Sequence, residues 1–104
     1  MKLLDKTNFT ETILEGSGVC LVDFFSESCE PCKALMPSVE ELEGVYNNLP
    51  FYKLDTMKAR RLAIKQQIMG LPVIAIYKDG TKVEELVKDD ATKENIEAMI
   101  KKYI

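Results

Sequence analysis

The run Val19-Cys20-Leu21-Val22-Asp23-Phe24-Phe25 restricts the possible folds of this chain more than any other segment. It is short, rich in β-branched and aromatic residues, and apolar at successive rather than alternate positions, with Asp23 the one exception. A strand of this kind needs cover on both faces, which helices on either side of a sheet provide.

The rest of the chain supplies those helices. Leu3-Leu4 opens a short first strand. Thr7 or Asn8 caps a helix through about Leu14, with Phe9 and Ile13 on its inner face. Gly16-Ser17-Gly18 is a turn before the central strand. Pro31 suits the first turn of a second helix, where Leu35, Val39, Leu42 and Tyr46 recur at helical spacing. Pro37 falls inside that helix and is expected to kink it. Phe51 to Asp55 reads as a strand, Met57 to about Gln66 as a charged helix with Leu62 inward, and Gly70-Leu71-Pro72 as a turn. Val73 to Tyr77 and about Lys82 to Val87 read as strands joined at Asp79-Gly80, a strong hairpin signal. Thr92 can cap a last helix with Ile96, Met99, Ile100 and Tyr103 on one stripe. Crossover helices early and a hairpin late give a three-layer α/β/α arrangement around a central five-stranded mixed sheet. The 104 residues suffice for one domain, expected to span residues 1–104.

Composition removes several kinds of function. A net charge of −3 without clustered Lys and Arg argues against nucleic acid or an anionic membrane as a partner. The short basic run Lys58-Ala59-Arg60-Arg61 reads as a solvated helix face. The first residues lack the apolar core of a signal peptide, and no apolar stretch approaches the length of a membrane span, so the expected address is the cytoplasm. There is no His, which excludes a His base. The three cysteines, Cys20, Cys29 and Cys32, are too few for a secreted disulfide scaffold and would need a carboxylate to close a zinc site.

Two of those cysteines form a C-x-x-C that follows a strand and opens a helix, the context of a redox dithiol. The spacing lets the sulfurs meet at bonding distance. The first lies at a helix N-terminus, where free amides and the macrodipole favour a thiolate, the nucleophile of disulfide exchange. Cys29 can therefore attack a substrate disulfide, and Cys32, one turn in, can resolve the mixed disulfide. Asp23 is the second clue. A carboxylate in an apolar strand is costly when ionised, and burial raises its pKa. Near Cys32 it can accept that thiol's proton; alternatively it sits at a strand edge and reaches a backbone amide or Lys53. Lys53 in the next strand reads either as its charge partner or as a solvated lysine. Cys20 reads as a small buried hydrophobe.

Leu21-Val22-Asp23-Phe24-Phe25-Ser26-Glu27-Ser28-Cys29-Glu30-Pro31-Cys32-Lys33, with Pro37 beyond it, resembles the active-site segment of the thioredoxin family. Gly70-Leu71-Pro72 resembles the family's cis-proline loop and Asp79-Gly80 its hairpin. The resemblance implies a thioredoxin-like fold, an exposed nucleophile at Cys29, a resolving thiol at Cys32, and a buried acid/base at Asp23 with Lys53 near it. It further implies a cis Pro72 whose neighbouring backbone holds the substrate. Ser28, Glu30, Pro31, Leu71, Pro72 and Lys88 are the expected substrate-facing residues.

The chain also departs from that family. It has no Trp, and Phe25 and Ser28 stand where two are usual. Glu30 replaces a Gly between the cysteines and is expected to oppose the Cys29 thiolate by roughly 0.5–2 kcal/mol, making the disulfide harder to reduce. Val73 replaces a Thr after Pro72, and Lys88-Asp89 occupies a stretch that usually holds a Gly. These changes touch the rim and suggest a restricted set of clients.

The expected activity is that of a protein-disulfide reductase and thiol–disulfide electron carrier. It would work as a monomer with no bound cofactor, be recharged by a thioredoxin reductase, and spend its electrons on disulfide-containing client proteins. The competing readings are a disulfide oxidase or isomerase, and a binding module or partner subunit with an idle dithiol.

Overall fold

The computed structural model describes residues 1–104. β2 (Val19–Phe25) lies at the centre of a five-stranded sheet of order β1-β3-β2-β4-β5, with β1 (Lys2–Leu4), β3 (Phe51–Asp55), β4 (Val73–Lys78) and β5 (Thr81–Val87) around it. β1, β3 and β2 run parallel, whereas β4 is antiparallel to β2 and β5 antiparallel to β4. The expected mixed sheet is therefore present.

Alternation along β2 divides the core in two. Leu21 packs with Val39 and Leu42 of α1 (Glu30–Val45) and Ile96, Met99 and Ile100 of α3 (Lys93–Lys101). Val22 and Phe24 pack on the other face with Leu4, Phe9, Ile13, Ala59 and Tyr77. That second face is covered by a helical turn over Thr10–Leu14 and by α2 (Arg60–Lys65). Fully burying one such aromatic or aliphatic side chain is worth about 1.5–3 kcal/mol, so two filled faces anchor β2 firmly. Asp23 shares the Leu21 face, on the α1 side.

Two elements differ from their sequence expectation. Asp5, rather than Thr7 or Asn8, caps the first helical turn: its Oδ1 accepts from the Thr7 and Asn8 amides at 2.8 and 3.2 Å, and Asn8 Oδ1 accepts from the Asp5 amide at 2.8 Å. The turn is wide, its last bond running from the Glu15 amide to the Thr10 carbonyl. The helix expected from Met57 starts only at Arg60. Asp55 Oδ1 accepts from the Met57 amide at 2.9 Å, and two tight turns hold Asp55 to Ala59 out of helical geometry. Met57 and Met69 stand largely in solvent, while Met99 is core.

α1 continues through Pro37, which leaves the Lys33 carbonyl without its usual helical donor. Thr92 Oγ1 caps α3 by accepting from the Asn95 amide at 3.2 Å. Asp79 and Gly80 have φ of 51° and 84°, the left-handed pair that a two-residue hairpin demands. A Cβ on Gly80 would also strike the Leu14 carbonyl, so no other residue fits there.

Candidate active site

The site forms at one end of the sheet, where four strand ends coincide. Phe25 pairs with Asp55 and Phe24 with Val73, while Val73 pairs with Val87. The exits of β2, β3 and β5 and the entry of β4 therefore lie side by side. Ser28, Cys29, Glu30, Pro31 and Cys32 leave β2, Leu71-Pro72 enter β4, and Lys88 leaves β5. Sheet topology alone gathers these sequence-distant residues. The β2 exit is pinned from β3: the Phe25 carbonyl accepts from the Thr56 amide at 2.8 Å and from Thr56 Oγ1 at 3.2 Å.

Cys29 is the N-cap of α1, with extended backbone angles of −89° and 103°. Its sulfur accepts from the Cys32 amide at 3.2 Å, one of the donors that a helix start leaves without a partner. The Cys29 carbonyl meanwhile accepts from the Lys33 amide and begins the helix. Pro31 occupies the first turn, where its missing N–H costs nothing. Cys29 is half-buried and Cys32 buried, and the two sulfurs are joined across a Cα separation of 5.3 Å. The accessible sulfur is thus also the one facing the helix amides.

Glu30 and Ser28 are exposed beside Cys29. The Glu30 side chain is 83% exposed and lies 3.5 Å from Lys33 Nζ. Water and the lysine both screen it, placing its opposition to the thiolate at the low end of the expected range. A hydrogen bond to a charged group contributes about 1.5–3 kcal/mol, so the Cys32 amide outweighs Glu30. Glu27 has a partner too, Lys58 at 3.8 Å.

Asp23 is 1% exposed, and neither carboxylate oxygen has a hydrogen-bond partner in the protein. It is not an edge residue satisfied by a backbone amide. Burial pushes its pKa up to about 7, against a smaller pull downward from the Lys53 ammonium. Lys53 is the register partner of Asp23 across β2 and β3. Its Nζ lies 6.0 Å from the centre of the Phe25 ring, within cation–π reach. A carboxyl held there is close to half ionised at neutral pH and can take or give a proton.

On the facing side, the Leu71-Pro72 peptide is cis, Pro72 is buried and Leu71 half-buried. Sequence alone identifies only a turn here, because most X-Pro bonds are trans. The Pro72 carbonyl accepts from the Lys88 amide at 2.8 Å, tying the two loops together. Cys20 lies back along β2, half-buried, with its thiol pushed up to about 11 by burial, so it is protonated and unreactive at neutral pH.

Sequence reasoning missed a cleft of about 580 Å³ lined by Phe25, Ser26, Glu27, Cys32, Lys33 and Met36. It adjoins Cys32. Ser26 is buried there, its carbonyl accepting from the Cys29 amide at 3.2 Å and its hydroxyl 3.4 Å from that of Ser28. The sequence signal was the smaller aromatic at Phe25, but its consequence depends on how α1 packs.

The thioredoxin family model matches residues 1–102. The chain belongs to the thioredoxin family. A thioredoxin of Acetoanaerobium sticklandii is 62% identical over 102 residues, covering 97% of each chain. One of Peptoclostridium acidaminophilum is 57% identical over 102 residues, covering 97% of this chain and 93% of that one. The structure of Plasmodium falciparum thioredoxin superposes with a TM-score of 0.90 over the whole of both chains at 28% identity. Thioredoxins are thiol–disulfide oxidoreductases, and this chain, with its paired cysteines at the head of α1, is a thiol–disulfide reductase of that family.

Proposed function

We propose that Cys29 is the nucleophile, Cys32 the resolving thiol and Asp23 the base that serves it. The observation that carries this assignment is the hydrogen bond from the Cys32 amide to the Cys29 sulfur at the N-terminus of α1. In the reduced protein the Cys29 thiolate attacks one sulfur of a client disulfide. A Cys29–client disulfide forms and the other client sulfur leaves as a thiolate. Asp23 then takes the proton of Cys32, whose sulfur attacks Cys29 and expels the second client thiolate. Two electrons have passed to the client, and Cys29 and Cys32 end as a disulfide.

The dithiol itself carries those electrons, with no bound cofactor. A thioredoxin reductase returns the chain to its reduced form, and disulfide-containing proteins are its clients. Lys53 steadies the ionised Asp23. Ser28, Glu30, Pro31, Leu71, Pro72 and Lys88 form the rim that receives the client, with the backbone before Pro72 pairing with it. No helix is long and apolar enough to cross a membrane. The protein works as a cytoplasmic monomer, without nucleic acid.

Mixing prereduced protein with excess peptide disulfide, and no other reductant, tests this. One equivalent of peptide dithiol should appear per chain while Cys29 and Cys32 become oxidised. An idle dithiol used only for binding would release no thiol.

A further inference from the structure

Lys88 stands on the client-facing rim in a conformation that disfavours it. Its φ is 55°, in the left-handed region that residues with a side chain disfavour. Its amide is fixed to the Pro72 carbonyl. Its stem lies across Gly70: a Cβ placed on Gly70 would come within 2.3 Å of Lys88 Cε and 3.3 Å of Cγ and Cδ. Gly70 itself has no left-handed φ, so space for this stem, rather than backbone freedom, is what its missing side chain provides. The aliphatic stem of Lys88 therefore lies along the loop leading to Pro72.

Two carboxylates beside the dithiol have lysine partners. Glu30 has Lys33 and Glu27 has Lys58, whereas no carboxylate lies within 4.0 Å of Lys88 Nζ, its sequence neighbours Asp89 and Asp90 included. Lys53 is also without a carboxylate in ion-pair range but is half-buried beneath Phe25, whereas Lys88 is exposed. Strain retained at a functional rim points to a use for the residue. An unmatched cation there attracts a segment carrying the opposite charge.

We infer that Lys88, seated over Gly70, selects client segments bearing an Asp or Glu beside the reacting cysteine. This rests on the reductase reading above and specifies its preferred substrate. The test uses three matched peptide disulfides whose cysteine is flanked by Glu, Gln or Lys. Each is reduced by the prereduced chain, by Lys88→Gln, by Lys88→Glu and by Gly70→Ala, at low and high salt. The native protein should reduce the Glu peptide about fivefold faster than the Lys peptide, with the ratio falling as salt screens it. Lys88→Gln should bring the ratio near one and Lys88→Glu should invert it. Gly70→Ala, which displaces the stem but leaves the charge, should lessen it. A ratio unchanged in Lys88→Glu overturns the inference while leaving the reductase intact. If no peptide of any charge is reduced by the native chain, the reductase reading itself fails.

Discussion

Changing Cys32 to serine halts the reaction at its first covalent step, and turnover falls by at least about 10³-fold. The size follows from what the second sulfur does. Held one helical turn from Cys29, it attacks intramolecularly, and such positioning is equivalent to an enormous local concentration of thiol. Serine keeps the shape and removes the nucleophile. The Cys29 sulfur remains at the tip of α1, still facing a backbone amide. A mixed disulfide should therefore accumulate, one client per chain, joined through Cys29. Mass spectrometry of the trapped species identifies both the attachment site and the client. Attachment through Cys20, or no adduct at all, contradicts the assignment. Cys20 is a poor competitor because burial keeps it protonated until about pH 11.

The second large effect is on stability. Replacing Asp23 with asparagine should stabilise the folded protein at pH 8 by about 3–4 kcal/mol and leave it nearly unchanged at pH 4. The ordinary Asp value is 3.8, and burial lifts Asp23 to about 7. Between those two pH values the folded chain holds a proton that the unfolded chain has released. Stability therefore falls as pH rises from about 4, and the fall levels off above 7. At about 1.4 kcal/mol per pH unit the whole loss is roughly 4 kcal/mol, a large share of the 5–15 kcal/mol typical of a domain. Asp5 and Glu84 are held low by their partners and act in the opposite sense, but equally in both proteins. Denaturant unfolding of the oxidised native and variant proteins at pH 4 and 8 isolates Asp23 as the difference between them. Parallel curves would rule out a raised Asp23. The same variant should resolve its mixed disulfide about 10²-fold more slowly near pH 7, the usual worth of a positioned base. In the proposed mechanism this destabilising charge has a catalytic return.

The parts of this molecule that were legible in the sequence are those decided locally or by pattern. Val19 to Phe25 reads as a strand covered on both sides, and Cys29-Glu30-Pro31-Cys32 as the opening of a helix after it. Asp23 stood out because its neighbours are apolar on both sides, and the Asp79-Gly80 dipeptide signalled the hairpin whose two positive φ values the structure shows. The illegible parts depend on contacts between distant segments or on competing local bonds. The late start of α2 comes from Asp55 capturing the Met57 amide, which competes with a helical pattern that otherwise reads well. The cap at Asp5 wins over Thr7 because its carboxylate reaches two amides at once. The cleft beside Cys32 exists only once α1 has packed against β2. Lys88 was legible as a residue out of place, but its left-handed backbone and its seat on Gly70 depend on β5 ending beside the loop that enters β4.

Everything proposed for this chain requires that the head of α1 make Cys29 the reactive sulfur. The most direct measurement is the alkylation rate of the fully reduced native protein as a function of pH, with the modified residue mapped by mass. The expected result is modification at Cys29 first, with a rate half-maximal below about pH 8.5, the ordinary thiol value. First modification at Cys32 or Cys20, or a Cys29 rate that rises only above that value, would contradict it.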